Sequence, residues 1–466
     1  MPQGSRTRRL LALLGEALRG SDRDLTSGPL TPAVFVLAVP MALEMVGESI
    51  FAVVDAFFIA RLGAPALASA GITETALDLV YAVAIGFSFA VTAVVSRRYG
   101  EGDRRGAARA GVQAIGLGLV VSATLAVVGV IFAPRVLGLM GADAETIAVG
   151  TTHARIMYGG MATIILLFLN NAILRGAGDA QAAMRALWLS NAINIALDPC
   201  LIFGLGPFPE LGLPGAAVAT TIGRGTGVLY QFWILARGSS RLRIRRADIR
   251  TQWGVLKNLC RVSIGGIAQM LADMLPWILL IRIIASFGTI AVAGWVIAIR
   301  VALFVLLPCW GLSNAASTIV GQNLGAGKPD RAERGVWITG GWNMVFMGLV
   351  TFVFVAFAPE IAAIFTDDPE VLGIAATALR VVSYGYVFYA WGMVTRQAFN
   401  GAGDTRTPTW IDLFCFWLFE IPLAWMLSRT ALGVDGVFWA VALAYSLSAV
   451  VSTLIFRRGG WKTTRV

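Results

Sequence analysis

The sequence predicts an all-α integral membrane protein: twelve transmembrane helices in two pseudo-twofold-related six-helix lobes around a central cavity. Three observations predict it. Of 466 residues, 57% are hydrophobic and only 14% charged, against about 45–50% and 25% in soluble domains. The apolar residues gather into runs of the length that a spanning helix needs, about 20 residues. The chain also repeats itself at a fixed offset.

Apolar runs place spans at 33–60, 70–96, 107–132, 147–174, 185–206 and 214–236, then at 258–285, 291–320, 334–357, 372–399, 409–428 and 437–456. The resulting plan is a cytoplasmic N-terminal segment (1–32), an N-lobe (33–236), a basic cytoplasmic linker (237–257), a C-lobe (258–456) and a cytoplasmic tail (457–466). The Leu/Ala-rich stretch between Arg8 and Arg19 is too short and too charged for a secretory signal, and an interfacial helix is expected there. The N-terminus, the tail and alternate connections hold 29 of the 37 Lys and Arg. By the positive-inside rule these face the cytoplasm, with both termini inside and odd-numbered spans running outward. The net charge of +10 therefore reflects orientation in a plasma (inner) membrane, and no nucleic-acid partner is expected. A single histidine, His153, expected near the membrane surface, and four cysteines without a CxxC pair argue against triads, redox motifs and metal centres. Neither enzyme activity nor a cofactor is expected.

The repeat has an offset of 225. Gly86-Phe-Ser-Phe-Ala matches Gly311-Leu-Ser-Asn-Ala, and Gly100-Glu-Gly matches Gly325-Ala-Gly. Phe132-Ala-Pro134 returns as Phe357-Ala-Pro359, and Gly176-Ala-Gly-Asp179 as Gly401-Ala-Gly-Asp404. Each repeat holds an even number of spans, so both lobes enter the membrane in the same direction and their axis lies along its normal.

Ionisable residues inside a bilayer are costly and point to function. On span 1, Glu44, Glu48 and Asp55 fall within about 40° of one another at helical pitch, so the stripe should face the lobe interior. Span 5 carries Asn191, Asn194 and Asp198 on one face, and span 6 carries Thr220, Thr221 and Arg224. Asp55, Asp198 and Thr220 share an outer depth, which makes one site feasible. Carboxylate, amide and hydroxyl oxygens suit Na⁺, and carboxylates removed from water take up protons more readily. Glu44 and Glu48 either line a hydrated cavity or couple ions, and Arg224 is a candidate counter-ion to Asp55 or Asp198. Glu74 and Asp78 read as a solvated mouth. Aromatic and Met residues facing the cavity would suit greasy cations.

The stretch from Gly311 to Gly327, GLSNAASTIVGQNLGAG, with its N-lobe echo and the Arg175-Gly-Ala-Gly-Asp179 loop, resembles the multidrug and toxic compound extrusion (MATE) transporters over nearly the whole chain. The resemblance implies a two-lobed antiporter that exports amphipathic, mostly cationic compounds in exchange for H⁺ or Na⁺. It further implies that Asp55, Asn194, Asp198 and Thr220 match the N-lobe cation site of the archaeal and DinF-like branches, extended by Asn170 or Asn171. The NorM-like branch implies an acid on span 7, eight residues past a proline, and another on span 10. Here those positions read Gly266, Met274 and Tyr389, and Asp55 plus the offset is Leu280, so coupling is expected in the N-lobe alone. Asp273 lies one residue off and is expected to pair with Arg282 or Arg300. Asp412 and Glu420 on span 11 either line the cavity or pair structurally. The alternative is a lipid-linked oligosaccharide or polysaccharide flippase of the same superfamily, which would need a more cationic cavity. A monomer is expected.

Overall fold

The computed structural model describes residues 4–21, 23–238 and 241–464, and is helical almost throughout. After α1 (Gly4–Arg19), the N-lobe runs α2 (Leu30–Ala60), α3 (Ala64–Gly100), α4 (Arg104–Leu139), α5 (Ala144–Gly159), α6 (Met161–Gly176), α7 (Ala180–Phe203) and α8 (Leu213–Arg237). The C-lobe runs α9 (Trp253–Ala285), α10 (Thr289–Gly325), α11 (Pro329–Ala363), α12 (Pro369–Ser383), α13 (Tyr386–Ala402), α14 (Arg406–Asp412), α15 (Ile421–Leu427) and α16 (Val434–Arg457). The pairs α5/α6, α12/α13 and α14/α15 each form one predicted span. Ten helical segments are long and apolar enough to cross a membrane, and the α12/α13 pair, bent by 53°, makes an eleventh. The twelfth is α8, whose mean hydropathy is diluted by Arg224 and its Gly and Thr neighbours. Each lobe buries its own apolar core.

Irregular spans have local causes. The backbone of α11 leaves helical geometry at Phe357, two residues before Pro359, because proline offers no N–H and crowds the preceding turn. Between α14 and α15, residues Leu413–Glu420 form a π-helix ahead of Pro422. Such segments often mark functional sites.

The lobes meet where the basic connections lie. Gly86 of α3 packs so closely on α9 that an added Cβ would stand 2.3 Å from the Ile267 nitrogen, and at Gly311 of α10 it would stand 2.4 Å from the Met41 carbonyl of α2. These two crossings are related by the repeat offset, and only glycine permits the approach. Lower down, Gly100 meets Gln322 and Gly325 meets Arg97 in the same reciprocal way. A further apolar cluster joins Leu25, Ala33, Leu37 and Ala180 to Ala315 and Ile319 of the C-lobe.

The segment between α1 and α2 lies over this closed end. Arg185 of α7 donates to the Leu18 and Arg19 carbonyls at the end of α1, and Arg241 donates to Ser21. From the C-lobe, Asn323 donates to Leu25, Lys328 to Thr26 and Arg331 to Ser27 and Gly28. At the opposite end the lobes part, leaving an open cleft.

Candidate ion-coupling site and central cavity

The three carboxylates of α2 all turn into the N-lobe, as their spacing requires, but each meets a different environment. Asp55 and Asp198 adjoin, both buried. Asp55 Oδ1 and both Asp198 carboxyl oxygens lack a hydrogen-bond partner. Beside them Asn194 Nδ2 donates to Thr220 Oγ1 at 2.9 Å, which leaves Asn194 Oδ1 unpartnered. Glycine sets this geometry: a Cβ on Gly223 of α8 would stand 2.7 Å from the Ser190 carbonyl of α7, so the two helices approach closely. Pro199 follows Asp198 inside α7 and has no N–H for the Ile195 carbonyl one turn back. The four residues thus present carboxylate, amide and hydroxyl oxygens at one place.

Glu48 and Arg224 pair with each other at 3.8 Å, and Asn191 Nδ2 donates to Glu48 at 3.3 Å. Arg224 thus gives its direct ion pair to Glu48, while standing near enough for Asp55 to feel its charge. Its guanidinium also lies over the Tyr81 and Phe51 rings, at 5.4 and 5.8 Å, held toward Glu48 by packing.

Glu44 does not line a hydrated cavity. It is 1% exposed, accepts from Asn171 Nδ2 at 2.8 Å and lies 3.8 Å from Arg175. Gln231 donates to Asn171 Oδ1 at 2.6 Å, completing a buried network nearer the basic end. Asn171 thus serves Glu44 and does not extend the Asp55 site, and Asn170 is buried with neither amide atom hydrogen-bonded. Sequence reasoning passed over Arg175 as a topology charge, although an arginine ending an apolar span beside an asparagine was a usable signal. His153 is buried as well, with Nδ1 3.0 Å from the Leu213 carbonyl.

The C-lobe holds a second cluster. Arg396 of α13 pairs with Asp412 at 2.9 Å, donates to Ser448 and lies over the Tyr389 and Phe416 rings. Asp273, Tyr389, Phe416, Glu420 and Tyr445 line a small pocket beside it, with Tyr389 stacked on Tyr445 at 4.0 Å. The cation near Asp273 is Arg396; the expected pairing with Arg282 or Arg300 is corrected, because α13 carries Arg396 toward α9. Asp412 is a structural ion-pair partner. Arg396 borders a basic connection in the sequence, yet it sits at the repeat equivalent of Asn171, a position that faces its lobe's interior.

A cavity of about 770 Å³ opens between the lobes at the end away from the basic connections, lined by α2, α3, α10 and Phe365. An adjoining apolar pocket of about 340 Å³ lies between α3, α9 and α10. Such volumes suit drug-sized molecules.

Comparison with known proteins agrees with this architecture. The family model MatE matches residues 40–200 and 267–426, once in each lobe. The probable multidrug resistance protein YoeA of Bacillus subtilis is 28% identical over 423 residues, spanning 89% of this chain and 90% of its own. A protein of Shewanella oneidensis named FAD transporter is 26% identical over 437 residues, 93% of this chain and 96% of its own. The solved outward-facing conformation of a multidrug resistance MATE family transporter superposes with a TM-score of 0.88 at 25% identity, covering 94% of this chain and 98% of that one. With a matching family model in both lobes and similar proteins aligned nearly end to end, this chain belongs to the MATE family of transporters.

Proposed function

We propose that this protein is a secondary active multidrug efflux antiporter, exporting amphipathic, mostly cationic compounds in exchange for H⁺ or Na⁺. The observation that carries the reading is the Asp55–Asp198 pair: adjoining buried carboxyls, three of whose four oxygens lack a hydrogen-bond partner, flanked by Asn194 and Thr220. Adjoining carboxylates away from water call for a cation, and Arg224, the nearest fixed one, is engaged by Glu48. A proton or Na⁺ on this pair would be the coupling ion, as in the DinF-like and archaeal branches. Glu44, Glu48, Asn191, Asn171 and Arg224 then act as supporting structure that orients α2 against α6, α7 and α8.

With the basic end inside, both termini are cytoplasmic and the open cavity faces out of the cell. This is the geometry from which drug leaves and the coupling ion enters. The C-lobe cluster, with Asp412 already neutralised by Arg396, plays no part in coupling. The protein works as a monomer in the plasma membrane.

The test is transport in vesicles under an imposed pH or Na⁺ gradient. Asp55→Asn and Asp198→Asn should each abolish gradient-driven efflux while the protein inserts and elutes as wild type does. Wild-type efflux by either variant would remove the pair from the mechanism.

A further inference from the structure

The loop that joins the lobes carries charge for which transport has no use. Residues 241–250 hold five arginines and one acid, Asp248. Two of the arginines are engaged by backbone: Arg241 donates to Ser21, and Arg243 to the Ala236 carbonyl near the end of α8. Arg245, Arg246 and Arg250 are exposed. Among the described residues, the ion pair of this stretch is that of Asp248 with Arg109 of α4, at 3.9 Å.

The backbone of this loop is nevertheless fixed. Asp248, 5% exposed, accepts from the Arg245 N–H at 2.9 Å and closes a tight turn. Gln113, buried on α4, donates to the Arg250 carbonyl at 2.8 Å and accepts from the Gln252 N–H at 3.4 Å. On the other side the Ile244 N–H reaches the Leu235 carbonyl of α8 at 2.9 Å. Beside the three free guanidiniums stand Ile249, 65% exposed, and Trp253, 77% exposed. Trp253 opens α9, a span, so the loop lies at the level where lipid headgroups meet acyl chains. Orientation in the membrane needs positive charge at this end of the spans. It needs neither a buried glutamine and aspartate to shape the loop nor two large apolar side chains presented next to the charges.

We infer that this loop binds the headgroup of an anionic phospholipid, with the phosphate among Arg245, Arg246 and Arg250 and the adjoining acyl chain against Ile249 and Trp253. Guanidinium suits phosphate because its planar fork donates two parallel hydrogen bonds. A basic residue beside an anionic membrane surface contributes about fivefold in affinity. A zwitterionic headgroup brings its own cation toward the arginines and gains less. The site is independent of the export reading.

Phosphatidylglycerol and phosphatidylcholine with identical chains form the probe pair, and native mass spectrometry of the purified full chain in detergent removes membrane orientation from the readout. Wild type should bind phosphatidylglycerol about tenfold more tightly than phosphatidylcholine. The triple variant Arg245→Gln, Arg246→Gln, Arg250→Gln should erase that preference, and Arg246→Gln alone should lower it severalfold. A control with the same loss of charge, Arg334→Gln, Arg406→Gln, Arg458→Gln, all at exposed positions of the basic end, should keep it. Chain-brominated phosphatidylglycerol should quench wild-type tryptophan emission more than brominated phosphatidylcholine does, and Trp253→Phe should lose the excess. No preference in wild type, an unchanged preference in the triple and single variants, or an equal loss in the control would each overturn the inference. So would displacement of the lipid by equimolar glycerol phosphate, which would make the loop a site for free phosphate, or an undiminished excess of quenching in Trp253→Phe.

Discussion

Replacing Gly86 or Gly311 by alanine probes how the two lobes close. The new Cβ at Gly86 would lie 2.3 Å from the Ile267 nitrogen, and at Gly311 2.4 Å from the Met41 carbonyl, where ordinary contact begins near 3.4 Å. The helices must therefore separate by about 1 Å, and since backbone atoms oppose each Cβ, no side-chain rotation relieves the contact. Overpacking of this kind costs about 1–3 kcal/mol. Both crossings join one lobe to the other, so the strain is relieved by parting the lobes, and the closed basic end should lose about 5–150-fold in population. Ser317, 3% exposed at this junction, reports the opening. In a background without the four native cysteines, Ser317→Cys should react faster with a water-soluble maleimide when either alanine is present. Gly341→Ala, whose Cβ meets nothing within 4 Å, should leave the rate unchanged. Rates at the parent value for both Gly86→Ala and Gly311→Ala would refute the proposition that these glycines hold the lobes together. A large effect from one and none from the other would refute their equivalence under the repeat.

Cysteines placed at Lys328 and Pro209, both exposed, should label from opposite sides, Lys328 only after permeabilisation and Pro209 in intact cells; the reverse pattern would overturn the orientation. In the C-lobe, Arg396→Met removes the cation from a buried pair and should lower stability by about 3–5 kcal/mol, read by unfolding in detergent. Asp273→Asn should keep transport gradient-dependent per folded molecule, and loss of that dependence would move coupling to the C-lobe. Near the N-terminus, hydrogen bonds from Arg23 hold the Glu16 carboxyl below its ordinary value. A depressed carboxyl stabilises above its unfolded value, about pH 4.3, and the benefit fades as pH falls through the lower folded value. Hydrogen-exchange protection of residues 20–28 should therefore fall in that acid range and be insensitive to pH in Glu16→Gln.

The spans, the duplication and the inward stripe of Glu44, Glu48 and Asp55 were determined by sequence alone. Lipid forces long apolar runs whose backbone bonds close within the helix, and helical pitch then fixes which residues share a face. Pitch does not say which neighbour a side chain meets, because that depends on helix rotation, tilt and local breaks, where one residue's shift turns a side chain by about 100°. Hence Arg224 gives its direct ion pair to Glu48, and Asn171 bonds to Glu44. Asp273 lies near Arg396, which another span brings to it. The closed basic end was likewise written as matched glycines, but their function became visible only when backbone met backbone across the lobes. Tertiary structure alone decided that Asp55 and Asp198 adjoin in a buried place where three of their four oxygens stay without a hydrogen-bond partner, since burial and pairing are set by which helices crowd together and not by the residues along any one of them.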